Sequence, residues 1–224
     1  MNAEFIGADR IFILGVVKAL TSSGEMVEEA INRQDYDTIL LSITDEEVDG
    51  LREFLKHPIE IEMDDVEIIY EYLMRKFGRT SIPPAAYIKA ISLADRKKIR
   101  VSGIDIPSGT YEDLFVDSVK LSDMILLSLK KRRLMSRSWA ANDPESFSLA
   151  WDKYLSKGGY LKMERERAKY MASEIVKRKK SNTLVVMEIE RYNDVVNGLS
   201  SLLQGYKLRE NSEVMKEVLS SKPF

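Results

Sequence analysis

Hydrophobic positions along this chain change period several times. Residues 10–17 (RIFILGVV), 36–43 (YDTILLSI) and 182–189 (NTLVVMEI) are short, nearly continuous apolar runs rich in β-branched side chains. Such runs predict strands buried on both faces. Between them the spacing turns helical. Met26, Val27, Ala30 and Ile31 share a stripe behind Ser22 and Glu25, which stand at capping-box distance, and Thr44 and Glu47 repeat that signal before Val48, Leu51 and Leu55, a face that stops at Pro58. Val66, Ile69, Leu73 and Phe77 predict a further helix ending at Gly78, and Tyr87, Ala90, Ile91 and Ala94 another after the prolines of SIPP. IRVSGIDIP (99–107) reads as a strand closed by Pro107.

Beyond it the pattern predicts one long helix from Tyr111 to about Leu134 and a second stretch from Pro144 to Arg178, with Gly158 and Gly159 as a breaking point. Val195, Leu199 and Leu203 follow the last strand at helical spacing, and the tail from Leu208 has the composition for one more helix. Alternating strands and helices predict an α/β fold: a mainly parallel central sheet with flanking helices, forming a single domain over 1–224 with a helical insertion at about 111–180. Ligand sites in such sheets lie outside the carboxyl ends of the strands, which directs attention to the loops at 15–21, 42–46, 103–111 and 188–193.

Composition narrows the chemistry. With 44% hydrophobic and 31% charged residues the chain is globular, and a net charge of −2 gives no general attraction to nucleic acid or anionic membrane. The absence of cysteine excludes disulfides, thiolate metal sites and cysteine nucleophiles. The opening MNAEFIGADR lacks a basic region followed by an apolar stretch, and the longest apolar run, MILLSL at 124–129, is too short to span a bilayer. A cytoplasmic protein without membrane or nucleic-acid partners is expected, and abundant Lys, Glu and Arg would suit a thermophile.

Candidate motifs are few. The Gly15 loop lacks the second glycine and the Lys-Ser/Thr pair of a phosphate loop, and no G-x-G-x-x-G follows the strand. The one histidine, His57, precedes Pro58 at a helix exit, so no histidine-rich metal site exists. The acids of TDEE (44–47) suit a helix N-terminus. The basic clusters KKRR (130–133) and KRKK (177–180) stand at helix ends without interleaved aromatics, and Trp139 and Trp151 read as packing anchors.

Taken in order, GVVK (15–18), LSIT (41–44), the segment from SIPP to GIDIP, ERAKYMA (166–172) and EIERY (188–192) give a chain that resembles the TraB family, related to GumN and Tiki proteins and more distantly to ChaN and erythromycin esterase-like folds. The resemblance implies a strand-end site whose proposed catalytic groups are metal-binding histidines and acids. Lys18 and Arg191 stand at the two histidine positions, Ser42 and Thr44 at the second-strand acids, and Gly103 and Ile104 at an Asp-Arg pair of which Asp105 is the remaining neighbour. Glu166 and Arg167 match the family.

Two permanent cations in place of lone-pair donors repel a dication, so no metal or other cofactor is expected. Asp45, Glu188 and Glu190 are the acids available to neutralise them. Three readings follow. The chain is a non-catalytic interaction or regulatory protein on a degenerate scaffold; or an anion-binding module at Lys18 and Arg191; or a divergent, metal-independent hydrolase using Glu166, Asp45 and Ser42. The partner is then an unidentified protein or a small anion, with a homodimer left open.

Overall fold

The computed structural model describes residues 1–210. Its order is β1 (Asn2–Ile6), β2 (Arg10–Val16), α1 (Ser22–Arg33), β3 (Thr38–Leu41), α2 (Asp45–Lys56), α3 (Asp65–Met74), α4 (Ala85–Lys97), β4 (Arg100–Gly103), α5 (Ser108–Ser118), α6 (Leu121–Lys131), α7 (Pro144–Leu155), α8 (Gly159–Arg178), β5 (Asn182–Glu188), α9 (Ile189–Leu202) and β6 (Lys207–Glu210). The strands form one sheet in the order β4-β3-β5-β2-β1-β6. No helix among the described residues is long and apolar enough to cross a membrane.

The α/β class holds, but the sheet is mixed rather than mainly parallel. β4, β3, β5 and β2 run parallel, whereas β1 lies antiparallel to both β2 and β6. Strand β1 was hidden from the sequence pattern because it is short and carries Glu4 between Ala3 and Phe5. That carboxylate is buried, and Arg10 of β2 reaches it at 2.5 Å. The three-residue link from Ile6 to Arg10 allows a hairpin, which forces antiparallel pairing. At the other edge of this unit Leu208, where a helix was expected to begin, lies in β6; the rest of that expected helix lies outside the described residues.

The parallel strands bury both faces, and their side chains alternate between two cores. Leu14, Val16, Ile39, Leu41, Leu184 and Val186 pack under α1, α2 and α4. Ile11, Ile13, Leu40, Val185 and Met187 pack with Phe5 beneath α8 and α9. Helices on both sides of a parallel sheet explain why these strands read as continuous apolar runs. A third cluster, centred on Phe147 and Trp151, joins α7 to the end of α3, with Trp139 edge-on to Phe147 and tilted against Trp151 as an anchor.

Local signals met different fates. Thr44 and Glu47 form the reciprocal capping box of α2. The equivalent pair at Ser22 and Glu25 does not, because α1 begins at Ser22 with Thr21 before it, and Ser23 instead donates to the Val17 carbonyl at 2.7 Å. The expected long helix from Tyr111 is two: Val119 is extended and buried, and α6 restarts where Asp123 accepts from the Lys120 N–H. Gly158, at φ +60°, separates α7 from α8.

From β2 the chain passes β5 toward β3 and β4, and from β5 it passes β2 toward β6, so the two connections run in opposite directions past the neighbouring carboxyl ends of β2 and β5. Ligand crevices of parallel sheets lie outside the carboxyl ends of the strands. The end of β4 meets the start of α2 at Gly103, where a Cβ would lie 2.3 Å from the Thr44 carbonyl carbon and 2.5 Å from the Asp45 nitrogen. Gly103→Ala is expected to cost about 3 kcal/mol in urea unfolding, the upper range for overpacking. Gly50→Ala, in open space within α2, should stabilise by about 0.5–1 kcal/mol. Equal midpoints for the two variants would contradict this close approach.

Candidate functional site

The loop after β2 carries Lys18, and the direct junction of β5 with α9 carries Glu188–Arg191, to the same end of the sheet. Lys18 Nζ lies 3.6 Å from Glu188 Oε1, and 47% of the lysine side chain remains open to solvent. Glu188 foremost, helped by Glu67, Glu190 and Glu47, holds the ammonium pKa above its ordinary value against the opposing effect of burial. Arg191 feels the same Glu188, so the two cations share one anionic neighbour.

Arg191 is committed elsewhere. Its Nη1 donates to Asp152 of α7 at 3.2 Å, and its Nε lies 2.7 Å from Glu164 of α8, an ion-pair distance without hydrogen-bond alignment. Glu164 also accepts two bonds from Arg167 Nη1, at 3.0 and 2.9 Å, and Arg167 in turn grips Asp105 through Nε at 3.2 Å and through Nη2. The result is a ladder of alternating charge, Asp105–Arg167–Glu164–Arg191–Asp152, that ties the end of β4 to α8, α9 and α7. Only 12% of the Arg191 side chain and 8% of that of Asp105 are exposed.

Glu190 belongs to a second, poorer network. Ser148 of α7 hydrogen-bonds to its carboxylate, and the Tyr70 hydroxyl pairs with Ser148, yet Glu190 Oε2 has no partner among the described residues. Burial, with the charge of Glu188 adding to it, pushes the Glu190 carboxyl up to about 7. Arg191 works to lower it, and burial together with Glu188 outweighs that cation.

The other sequence candidates separate. Ser42 is buried at the end of β3, where its hydroxyl meets the Tyr87 hydroxyl at 2.8 Å and accepts from the Glu188 N–H at 3.3 Å. Thr44 is the cap of α2. Asp45 accepts from the Gly103 N–H at 2.8 Å and from Arg178 at 2.7 Å; burial works to raise its pKa, but these bonds prevail and hold it below the usual value. Glu166 does not join them: it is on the solvent side of α8, paired with Lys169 at 2.7 Å. Glu164, two residues earlier, is the carboxylate that turns inward.

Sequence reading passed over Glu164, Asp152, Tyr70 and Ser148. Only Glu164 left a trace, its three-residue spacing from Arg167 on a helix. Asp152 and Ser148 come from α7, which nothing in the linear order connects to Arg191 or Glu190. His57 closes α2 on the surface, 3.6 Å from Glu53.

Among the described residues no three His, Cys, Asp or Glu side chains converge as a group able to hold a metal ion. Three cations, Lys18, Arg167 and Arg191, face five carboxylates, Asp105, Asp152, Glu164, Glu188 and Glu190. The arrangement can brace four elements and store a neutral-range proton. No family model matches the chain, and no curated protein matches it either.

Arg167→Met would strand Asp105 and Glu164 without their shared cation, at an expected cost of about 3–5 kcal/mol by chemical denaturation. Glu166→Gln should fall within about 0.5 kcal/mol of the parent. Comparable losses in both would contradict the inward placement of Glu164.

A pH series isolates Glu190. Its folded pKa lies above the ordinary 4.5, so the folded chain keeps a proton that the unfolded chain releases, and stability falls as pH rises from about 4.5 and levels off above about 7. Glu190→Gln should therefore gain on the parent across that window and hold a constant advantage at pH 8. A difference that is flat from pH 4 to 8 would refute this.

Proposed function

We propose that this chain is a TraB-like domain without metal catalysis, a cytosolic non-catalytic interaction or regulatory protein that uses the fold as a scaffold. The observation that supports this reading most is the ladder itself. The guanidinium groups of Arg167 and Arg191 occupy the strand-end crevice, they have no lone pair to offer a dication, and their carboxylate neighbours already accept from them. Breaking such a buried ladder to admit a metal would leave fixed charges unpaired.

The two alternatives draw less support. An anionic ligand would enter a crevice where carboxylates outnumber cations and where Arg191 is already held by two of them. A hydrolase built on Ser42 lacks a base beside the hydroxyl, whose neighbours are a tyrosine hydroxyl and a backbone N–H. Asp45 is tied to Arg178, and Glu166 faces solvent.

Thermal unfolding with added ligands tests the choice. Zinc, manganese, magnesium, phosphate and nucleotides should each leave the midpoint within about 1 °C of the free protein. A dose-dependent rise with zinc or manganese that disappears in Glu188→Gln would overturn the scaffold reading. A rise with phosphate that is lost in Lys18→Ala would transfer the assignment to anion binding.

A further inference from the structure

Helix α8 ends over a polar corner of an otherwise apolar layer. On the side of the sheet beneath α8 and α9 the strands present Ile11, Ile13, Leu40, Val185 and Met187. At β4, the strand on that edge, the same side carries Arg100 and Ser102, in register with Thr38 and Leu40 of β3. With Lys177, Arg178 and Lys180 the polar residues Thr38, Arg100 and Ser102 line a cavity of about 150 Å³. Three cations of the KRKK run thus meet one from β4, while Lys179 turns away to Asp9 and Tyr206.

Cations in the last turn of a helix offset its free carbonyls, which accounts for Lys177 and Arg178. It does not account for Arg100, which arrives from a strand, or for Lys180, which lies beyond the helix end. The ion pairs divide them in the same way. Lys177 and Arg178 share Glu174, at 2.7 and 2.8 Å, and Arg178 also holds Asp45 at 2.7 Å. Arg100 and Lys180 are exposed and form no ion pair among the described residues, although the charge of Arg100 is felt at Asp45. Beside them Ser102 is 6% exposed, and its hydroxyl has no hydrogen-bond partner among the described residues, whereas the Thr38 hydroxyl donates to the Arg100 carbonyl at 3.2 Å. Against four cations the ion pairs set two carboxylates, so positive charge is left over next to a free donor.

Carboxylate chemistry fits this surplus. The cavity's own cations already bind carboxylates, and the Arg100 guanidinium is free to take another through two parallel bonds. An extended acidic chain answers Arg100 and Lys180 separately, while one of its carboxylates enters toward Ser102. A compact phosphate would concentrate its charge beside Glu174 and Asp45. Nucleic acid would bring bases, and no aromatic ring lines the cavity for them to stack on.

We propose that this cavity docks an acidic segment of a partner protein, with an Asp or Glu side chain of that segment held between Arg100, Lys180 and Ser102. The site shares no residue with the ladder at Arg167 and Arg191, so either assignment stands or falls without the other.

Fluorescence anisotropy of a rhodamine-labelled oligoglutamate peptide, titrated with the full chain, tests it. Binding should saturate at low ionic strength and weaken as sodium chloride is added. Arg100→Glu with Lys180→Glu should lower affinity at least about tenfold, and Arg100→Gln with Lys180→Gln should lower it too without adding charge, both with unchanged far-ultraviolet circular dichroism. Lys131→Glu, Arg132→Glu and Arg133→Glu together remove more positive charge, from the other basic cluster, and should bind as the parent does. No saturable binding by the parent, or an equal loss in the Lys131, Arg132 and Arg133 variant, overturns the proposal. Displacement of the peptide by millimolar inorganic phosphate would reassign the cavity to phosphate, and tighter binding of oligothymidylate that is lost in the Arg100 and Lys180 variants would reassign it to nucleic acid; either result overturns it as well.

Discussion

The burial of two guanidinium groups at the carboxyl end of the sheet is the constraint on which the rest of this molecule turns. A charge that leaves water must find fixed partners, and Arg167 and Arg191 find theirs on α7, α8 and the segment after β4. Helices α7, α8 and α9 and the segment after β4 therefore have to meet at one point, with their side chains in one arrangement. Apolar packing beneath α8 and α9 supplies the driving force for the layer, but it is not directional. The ladder fixes where each helix stops along that layer.

The two networks of the crevice differ in the quality of their satisfaction. Along the ladder, cation and carboxylate alternate, so each charge removed from water meets an opposite one. Around Glu190, Ser148 hydrogen-bonds and Arg191 attracts, but burial and the charge of Glu188 outweigh both and favour the neutral acid. One crevice thus holds a permanently charged brace and, beside it, a group whose charge follows pH. The brace belongs to architecture, and Glu190 is the group there whose burial favours its neutral form.

Strands β2, β3 and β5 were legible because their burial on both faces leaves continuous apolar runs, and α2 was legible because its cap is a local, reciprocal interaction between Thr44 and Glu47. Strand β1 was not, since Glu4 breaks its apolar pattern and is neutralised by Arg10 only once the hairpin has formed. The break between α5 and α6 was equally hidden. It depends on α8, because Gly159 packs against the Ser118 carbonyl, where a Cβ would come within 2.2 Å. Glu166 and Glu164 show the same limit within one helix: both are glutamates beside Arg167, and only the rotation of α8 against its neighbours turns one inward and the other to solvent.

By itself the sequence determined the α/β class and the lack of cysteine or clustered histidine, because periodicity and composition are properties of residues near one another in the chain. Tertiary structure alone decided that the sheet is mixed, that Asp152 and Glu164 hold Arg191, that Asp45 answers to Arg178, and that the aliphatic side of α6 faces outward. Those outcomes depend on pairs separated by tens of residues, and which charge meets which is settled only when packing has taken both out of water.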